Sequence, residues 1–114
     1  MFERIDTICL KVRDIKRACE WYKEKLDCSV SFAGEGYRVL TIGKEVGIPL
    51  TIEEGERVLS SDHNYPIFFT KDIHIAHRKL IDNDVTTEKL HFDGDNHYFT
   101  FYDLDGNKLQ VCHY

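Results

Sequence analysis

Cysteine and histidine are the side chains of this sequence that could carry covalent or metal chemistry. The cysteines show no CxxC spacing, so the sequence predicts neither a redox pair nor a paired-cysteine zinc site, and we expect reduced, mostly buried thiols. His74 and His77 lie one helical turn apart and could chelate a metal ion, but a solvated helix face is the simpler interpretation. The remaining histidines of the second half, His91, His97 and His113, show no ligand spacing.

Cys9 is the candidate nucleophile. It shares a predicted strand face with Lys11, whose ammonium group would favour the thiolate. No histidine is placed by the sequence as a base for this thiol, so the competing interpretation is a small apolar side chain that fills a strand position.

A turn near the end of the sequence, Asp103 to Asn107, also carries acidic side chains. Asp103 and Asp105 can accept hydrogen bonds from nearby backbone N–H groups, and Gly106 tolerates a positive φ. An EF-hand loop needs its glycine at position 6 and a glutamate at position 12, which this turn lacks. The pattern therefore indicates a tight turn between two strands and argues against a calcium loop.

Composition narrows the class of protein. The 114 residues suit a single domain, and 42% hydrophobic with 31% charged residues is an ordinary globular balance. The net charge of −5 and the scattered basic residues argue against a nucleic-acid partner. The sequence shows neither a signal peptide nor an apolar run of membrane-spanning length, so we expect a cytoplasmic protein with no membrane partner.

The elements that must position these side chains follow from periodicity. Alternation predicts a first strand from Arg4 to Val12, and Asp14 is the predicted N-cap of an amphipathic helix that reaches Leu26. Three further strands are predicted at Ser29 to Phe32, Tyr37 to Ile42 and Val46 to Ile52.

The same order of elements then repeats. A polar linker at about 53–64 precedes a strand from Tyr65 to Thr70, the N-cap Asp72 and a helix that ends near Asn83. The later strands are predicted near Val85 to Phe92, His97 to Tyr102 and Lys108 to Tyr114.

The two halves align at one offset. Asp14, Ile15, Ala18 and Tyr22 fall opposite Asp72, Ile73, Ala76 and Leu80 at a constant offset of 58. We interpret this as an internal duplication of a βαβββ unit, with one module at about 4–52 and the other at 65–114 within a single domain 1–114.

Three segments resemble the vicinal oxygen chelate superfamily, which includes glyoxalases, extradiol dioxygenases, fosfomycin-resistance transferases and bleomycin-binding resistance proteins. They are IDTICLKVRDIKRACEWYKEKL, FFTKDIHIAHRKL and FYDLDGNKLQVC, the last with Leu104 where the family usually has proline. The resemblance implies an α+β fold in which two tandem βαβββ modules form a curled mixed sheet, or cup, with the helices on the outer face. It also implies a homodimer.

By this resemblance, ligands bind on the concave face of the cup. Strand phase puts the following candidates there: Thr7, Cys9, Lys11, Pro49, Thr51, Tyr65, Tyr98, Thr100, Gln110 and Cys112. Tyrosines on such a face would provide stacking surface and a hydroxyl group, although aromatic side chains on strands mostly pack in the core.

The resemblance also locates the positions at which metal-dependent members hold their ion. These positions fall at Thr7, Pro49, Tyr65 and Gln110, of which only Gln110 could ligate, and a single amide oxygen does not make a site. In the fosfomycin-resistance type the third ligand lies nine residues before the helix-capping acid, which gives His63 here. Two ligands plus water make a poor metal site, so we expect neither a metal ion nor another cofactor. We expect Gln110 to act by hydrogen bonding.

The leading hypothesis from the sequence is a metal-independent small-molecule-binding protein of the glyoxalase and bleomycin-resistance type that holds an organic ligand in the cup. The alternative is a lyase, isomerase or transferase of the same superfamily that uses His63 and Gln110 with a metal, or Cys9 as a nucleophile. A third hypothesis is a regulatory or structural module that binds a protein partner through a sheet edge or its helices.

Overall fold

A computed structural model describes residues 1–44, 47–56 and 64–114 of the chain. The chain divides into two compact units, Met1–Val58 and Leu59–Tyr114. Each unit is a βαβββ module with one helix and a mixed four-stranded sheet, which confirms the predicted α+β class and the repeat.

The first unit contains β1 (Ile8–Val12), α1 (Ile15–Leu26), β2 (Ser29–Gly34), β3 (Tyr37–Thr41) and β4 (Leu50–Glu54). Its strand order is β1-β4-β3-β2, with β1 parallel to β4 and the other neighbours antiparallel.

Helix α1 begins where the sequence predicts. The Asp14 carboxylate accepts hydrogen bonds from the backbone N–H groups of Lys16 and Arg17, both at 3.1 Å, as an N-cap does. The helix ends at Asp27, which adopts the left-handed conformation (φ 55°). Ile15, Ala18 and Tyr22 form the buried stripe of α1 and pack on the sheet, whose β3 and β4 the helix contacts.

The second unit contains β5 (Ile67–Phe69), α2 (Ile73–Asp82), β6 (His91–Asp93), β7 (Asn96–Tyr102) and β8 (Lys108–His113). Its strand order, β5-β8-β7-β6, repeats the topology of the first unit, again with one parallel pair, β5 and β8.

The core of the second unit lies between α2 and its sheet. Asp72 caps the helix through the N–H group of Ile75, at 3.1 Å, and Ile73 and Leu80 are buried. The sheet contributes the buried side chains Phe99, Phe101, Leu109 and Val111. No helix in the described residues is long and apolar enough to cross a membrane.

Several predicted boundaries differ from the structure. The first strand begins at Ile8 rather than Arg4, and the strand predicted at Val46 to Ile52 runs instead from Leu50 to Glu54. Glu53 and Glu54 therefore belong to β4 and not to the linker, because Glu53 pairs with β1 in register with Lys11. Residues 45–46 and 57–63 lie outside the described part of the chain.

The strand predicted at Val85 to Phe92 is mostly absent. The N–H group of Val85 bonds to the carbonyl of Leu80, so this segment is still completing the end of α2. Only an isolated bridge from Thr87 to Phe101 and the short β6 remain of the predicted strand.

Candidate functional site

Each sheet has one face under its helix and one face opposite the helix, which we call its open face. In the first unit the helix side is marked by Val12, Leu40, Leu50 and Ile52, all nearly inaccessible to solvent. Strand alternation puts Cys9, Lys11 and Thr51 on the first open face. In the second unit Phe99, Leu109 and Val111 lie on the helix side, so Tyr98, Thr100, Gln110 and Cys112 lie on the second open face.

A pair of threonines forms the polar centre of the first open face. The Thr7 Oγ1 atom lies 2.9 Å from the Pro49 carbonyl oxygen and 2.7 Å from the Thr51 Oγ1 atom. A hydroxyl has one proton, and the carbonyl can only accept, so Thr7 donates to Pro49 and Thr51 donates to Thr7. Both hydroxyl protons are therefore used within the unit.

Strand register identifies Thr51 as the counterpart of Gln110. Leu10 pairs with Ile52 in the first unit as Phe68 pairs with Val111 in the second, and Thr51 and Gln110 are the residues just before these partners. Pro49, which the resemblance had matched to Gln110, instead precedes β4 and contributes its carbonyl group.

Cys9 and Lys11 share the first open face as expected, but the lysine has a different partner. Its ammonium group contacts the carboxylate of Glu53 on the neighbouring strand. The Cys9 side chain is exposed, which corrects the expectation of mostly buried thiols, and among the four free cysteines only Cys28 is buried. Burial, and then the nearby Asp27 carboxylate, raise the pKa of the Cys28 thiol to about 12.

Two aromatic rings on the first open face were missed by sequence reasoning. Phe32 and Tyr37 stack with ring centroids 5.9 Å apart, and Phe32 is 56% exposed. The Tyr37 ring lies over Gly34, where a Cβ atom would come within 2.1 Å of it. The glycine-containing turn in the sequence, Gly34 to Gly36, was the signal that an aromatic side chain could fold over this backbone.

The second open face is organised around Thr100 and Gln110. They are directly opposed on β7 and β8, and the Gln110 Nε2 atom lies 3.4 Å from the Thr100 Oγ1 atom. Thr100 is buried and Gln110 half-buried. On the next rung Tyr98 faces Cys112, and the Tyr98 ring stacks on His91 with centroids 5.3 Å apart, a contact that the sequence did not reveal.

Tyr65 lies just before β5, and the Lys108 side chain lies over its ring. The Lys108 Nζ atom is 4.3 Å from the centroid of the Tyr65 ring, within the range of a cation–π interaction.

The Asp103 turn has the structure that the sequence predicts. One carboxylate oxygen of Asp103 accepts from the N–H groups of Asp105 and Asn107 at 2.9 and 2.8 Å, and the other accepts from the Asn107 side chain at 2.8 Å. Gly106 has a φ of 81°. Because the Asp103 carboxylate is occupied within the turn, the turn is structural.

The side chains at the family's metal positions do not fit a metal ion. Thr7 and Thr51 are hydroxyl groups bonded to each other, and Tyr65 is a phenol, so Gln110 is the one amide oxygen among them. Within the described residues no three His, Cys, Asp or Glu side chains converge into a group that could hold a metal ion. The alternative ligand His63 lies outside the described residues.

The two helix histidines behave differently from each other. His77 is half-buried, and its Nε2 atom donates to the Glu88 carbonyl oxygen at 2.9 Å while its ring edge meets Phe99. His77 therefore lies at the edge of the solvated helix face, where the segment after α2 folds back against it. His74 is exposed.

The chain is similar in structure to the following three solved proteins, among others. The fosfomycin resistance protein FosX from Listeria monocytogenes is 15% identical, with a TM-score of 0.82 over 98% of this chain and 93% of that one. A putative glyoxalase family protein from Bacillus anthracis is 17% identical, with a TM-score of 0.82 over 98% and 95%. An integron cassette protein from the mobile metagenome of V. cholerae is 21% identical, with a TM-score of 0.73 over 100% and 97%.

At these identities the solved structures establish the fold alone, and no curated protein matches the sequence significantly. The family comparison goes further, because it matches residues 4–111, nearly the whole chain and both βαβββ units. The chain belongs to the Glyoxalase/Bleomycin resistance protein/Dioxygenase superfamily.

Proposed function

We propose that this protein binds a small organic molecule without a metal ion, on the open faces of its sheets. The observation that carries the proposal is the composition of the second open face, where a Thr100–Gln110 pair lies beside tyrosine surface. Ligand sites in proteins are typically aromatic or apolar surfaces with a few convergent polar groups, which is the combination present here.

The donor chemistry of the same faces supports metal independence. Enolate stabilisation and oxygen activation in this superfamily need a Lewis acid held by imidazole or carboxylate ligands. FosX from L. monocytogenes has been crystallised with Mn(II) and sulfate, so a structural neighbour does hold such an ion. The corresponding positions of this chain supply hydroxyl groups, a phenol and one amide, which favours binding of the organic molecule itself.

The test combines metal analysis with a compound screen. Protein purified without chelator, untagged, is offered Ni, Zn, Mn and Fe in turn, and bound metal is measured after desalting. We expect well under one ion per chain, and we expect some compounds of a screen in chelator to raise the melting temperature. Stabilisation should follow RT ln(1 + [L]/Kd), about 2.7 kcal/mol at a ligand concentration 100 times Kd.

Variants separate specific binding from general stabilisation. Tyr98→Ala removes a ring from the second open face and should abolish the shift, whereas Tyr114→Ala removes a ring that is 80% exposed at the end of the chain and should not. Near-stoichiometric metal, or equal effects of the two variants, would overturn the proposal.

A thiol-dependent transferase remains the second candidate because Cys9 is exposed on the first open face. In that case Cys9→Ser would abolish turnover of an electrophilic substrate and leave binding intact. For a binding protein the same substitution would leave ligand-induced stabilisation unchanged.

We also propose that the protein is a cytoplasmic homodimer. The resemblance supports the dimer, and four cysteines without a disulfide suit a reducing compartment. Light scattering coupled to size-exclusion chromatography tests the dimer, because a monomeric mass at micromolar concentration would contradict it.

A further inference from the structure

The Thr100 hydroxyl group has an incomplete hydrogen-bond inventory. Thr100 is only 7% exposed, and its Oγ1 atom accepts from the Gln110 amide, yet within the described residues its own proton reaches no acceptor. Buried hydroxyl groups nearly always donate, because an unmade bond costs free energy when water is excluded. The unused proton therefore requires an acceptor that the described part of the chain does not supply.

The Gln110 side chain has an unused acceptor, which complements the unused donor of Thr100. With its Nε2 atom directed at Thr100, its Oε1 atom accepts no hydrogen bond from the described residues. A half-turn of the amide exchanges the roles, since Oε1 would then accept the Thr100 proton and Nε2 would be the unused donor, with the Thr100 oxygen as the unused acceptor. In either orientation the pair presents at least one unused donor beside an unused acceptor, since the amide nitrogen carries two N–H groups.

The charged groups nearest to this pair already have partners within the unit. Cys112 and Tyr98 occupy the next rung, and Ile67 pairs with Gln110 on the other side. Lys108 is the nearest cation along β8, and its ammonium group is directed to the Tyr65 ring. On the other side, the N–H group of Glu88 donates to the Thr100 carbonyl oxygen at 2.8 Å, and the Glu88 carboxylate accepts from the Tyr102 hydroxyl group. A charged ligand group at Thr100 would therefore lose its hydration without gaining an unengaged counter-ion, which is costly.

We propose that the Thr100–Gln110 pair recognises a neutral amide or lactam group of the ligand, whose adjacent C=O and N–H match the unused donor and acceptor. Tyr98 provides a stacking surface for a ring attached to that group. This inference rests on the proposed binding function and names its ligand class: an aromatic or cyclic amide, as opposed to a carboxylic acid or a ketone.

The test uses three probes of similar shape: benzamide, benzoate and acetophenone. Gln110 is the only glutamine of the chain, so protein labelled with ¹⁵N-glutamine gives one side-chain amide signal from the site. We expect benzamide to shift that signal with an affinity at least about fivefold tighter than acetophenone or benzoate, because each unmatched hydrogen bond costs roughly that factor.

Two near-isosteric variants and one control complete the experiment. Thr100→Val removes the hydroxyl group and should weaken benzamide about fivefold. Acetophenone should weaken equally when the hydroxyl proton serves the carbonyl group that both probes share, and little when the hydroxyl oxygen accepts the amide N–H. Thr86→Val makes the same change at an exposed position and should alter neither affinity. If Thr100→Val unfolds the protein, Gln110→Glu, which removes the amide donor, gives the same comparison by chemical shifts of the neighbouring backbone.

The outcomes distinguish the amide ligand class from metal-independent binding as such. Binding of the probes with no preference for benzamide, or with a preference for benzoate, overturns the amide assignment and leaves metal-independent binding standing. Gln110 shifts that appear only after addition of Mn, Ni, Zn or Fe overturn both.

Discussion

The two units of this protein share a topology but differ in what their open faces offer. In the first unit the hydroxyl groups of Thr7 and Thr51 satisfy each other and the Pro49 carbonyl. In the second unit Gln110, the counterpart of Thr51, meets Thr100 through one 3.4 Å contact, and this pair keeps a donor and an acceptor unused. A repeated fold therefore does not imply a repeated site, since the polar centre is closed in one copy and open in the other.

Thiol reactivity should give the largest contrast. At pH 8 a thiol whose pKa is about 12 is roughly one part in 10⁴ thiolate, and the Cys28 thiol is also buried, so iodoacetamide should modify it at least about 100-fold more slowly than the exposed Cys9. Peptide mass spectrometry of timed samples measures both rates. The rate at Cys28 should rise with pH until about 12, because its folded-state pKa is raised.

Urea-denatured protein is the control, in which all four cysteines should react alike. Comparable rates at Cys9 and Cys28 in the folded protein would contradict the exposure of Cys9 or the burial of Cys28.

The central buried residue of each helix should contribute a different free energy to the stability of its unit. Tyr22 is fully buried in α1 and its counterpart Leu80 is nearly so in α2. Tyr22→Ala should lower the free energy of unfolding by about 3–5 kcal/mol and Leu80→Ala by about 2–4 kcal/mol. Urea unfolding followed by circular dichroism measures both.

The fluorescence of Trp21 reports on the first unit alone, because the Trp21 ring centroid is 5.0 Å from that of Tyr22.

Ile75→Ala, at an exposed position of α2, is the control and should change the free energy of unfolding by less than about 0.5 kcal/mol. Equal losses for the buried and exposed substitutions would contradict the assigned core.

The Asp103 turn is the next feature to separate the units. Asp103→Ala removes an acceptor of three hydrogen bonds at a buried position, and we expect a loss of about 2–3 kcal/mol. Asp103→Asn keeps one acceptor oxygen and should lose less. Chemical denaturation orders the three proteins, and an Ala variant as stable as wild type would refute the role of this carboxylate.

The helix caps should show the smallest difference. Asp14→Ala and Asp72→Ala should each cost about 1 kcal/mol, with Asp14 the more costly because it accepts from two N–H groups and Asp72 from one. The matched variants Asp14→Asn and Asp72→Asn retain the cap and should stay within a few tenths of a kcal/mol of wild type. Thermal melts resolve the order, and a larger loss at Asp72 would reverse it.

The sequence predicted those features that depend on neighbouring residues. Asp14 and Asp72 begin their helices because a carboxylate at that position satisfies the first free N–H groups, whatever the rest of the chain does. Strand alternation likewise placed Cys9, Thr100 and Gln110 on the face opposite the helix. Family membership and the βαβββ repeat were available from local motifs.

Features that depend on pairing between distant strands were not predictable. Only the register of β1 with β4 shows that Thr51, and not Pro49, corresponds to Gln110. The stacking of Phe32 on Tyr37 depends on the register of β2 with β3. The strand predicted from Val85 to Phe92 is reduced to β6 and a bridge from Thr87 to Phe101, and both depend on pairing with β7.

The registers of the two sheets also record how the copies diverged. Leu10 pairs with Ile52 across 42 residues, whereas the equivalent Phe68 and Val111 pair across 43. A one-residue insertion inside a strand would turn every later side chain to the other face. Because the extra residue lies outside the final strands, Thr51 and Gln110 occupy equivalent faces, so the two halves differ in length while the same positions of both sheets remain on the open side.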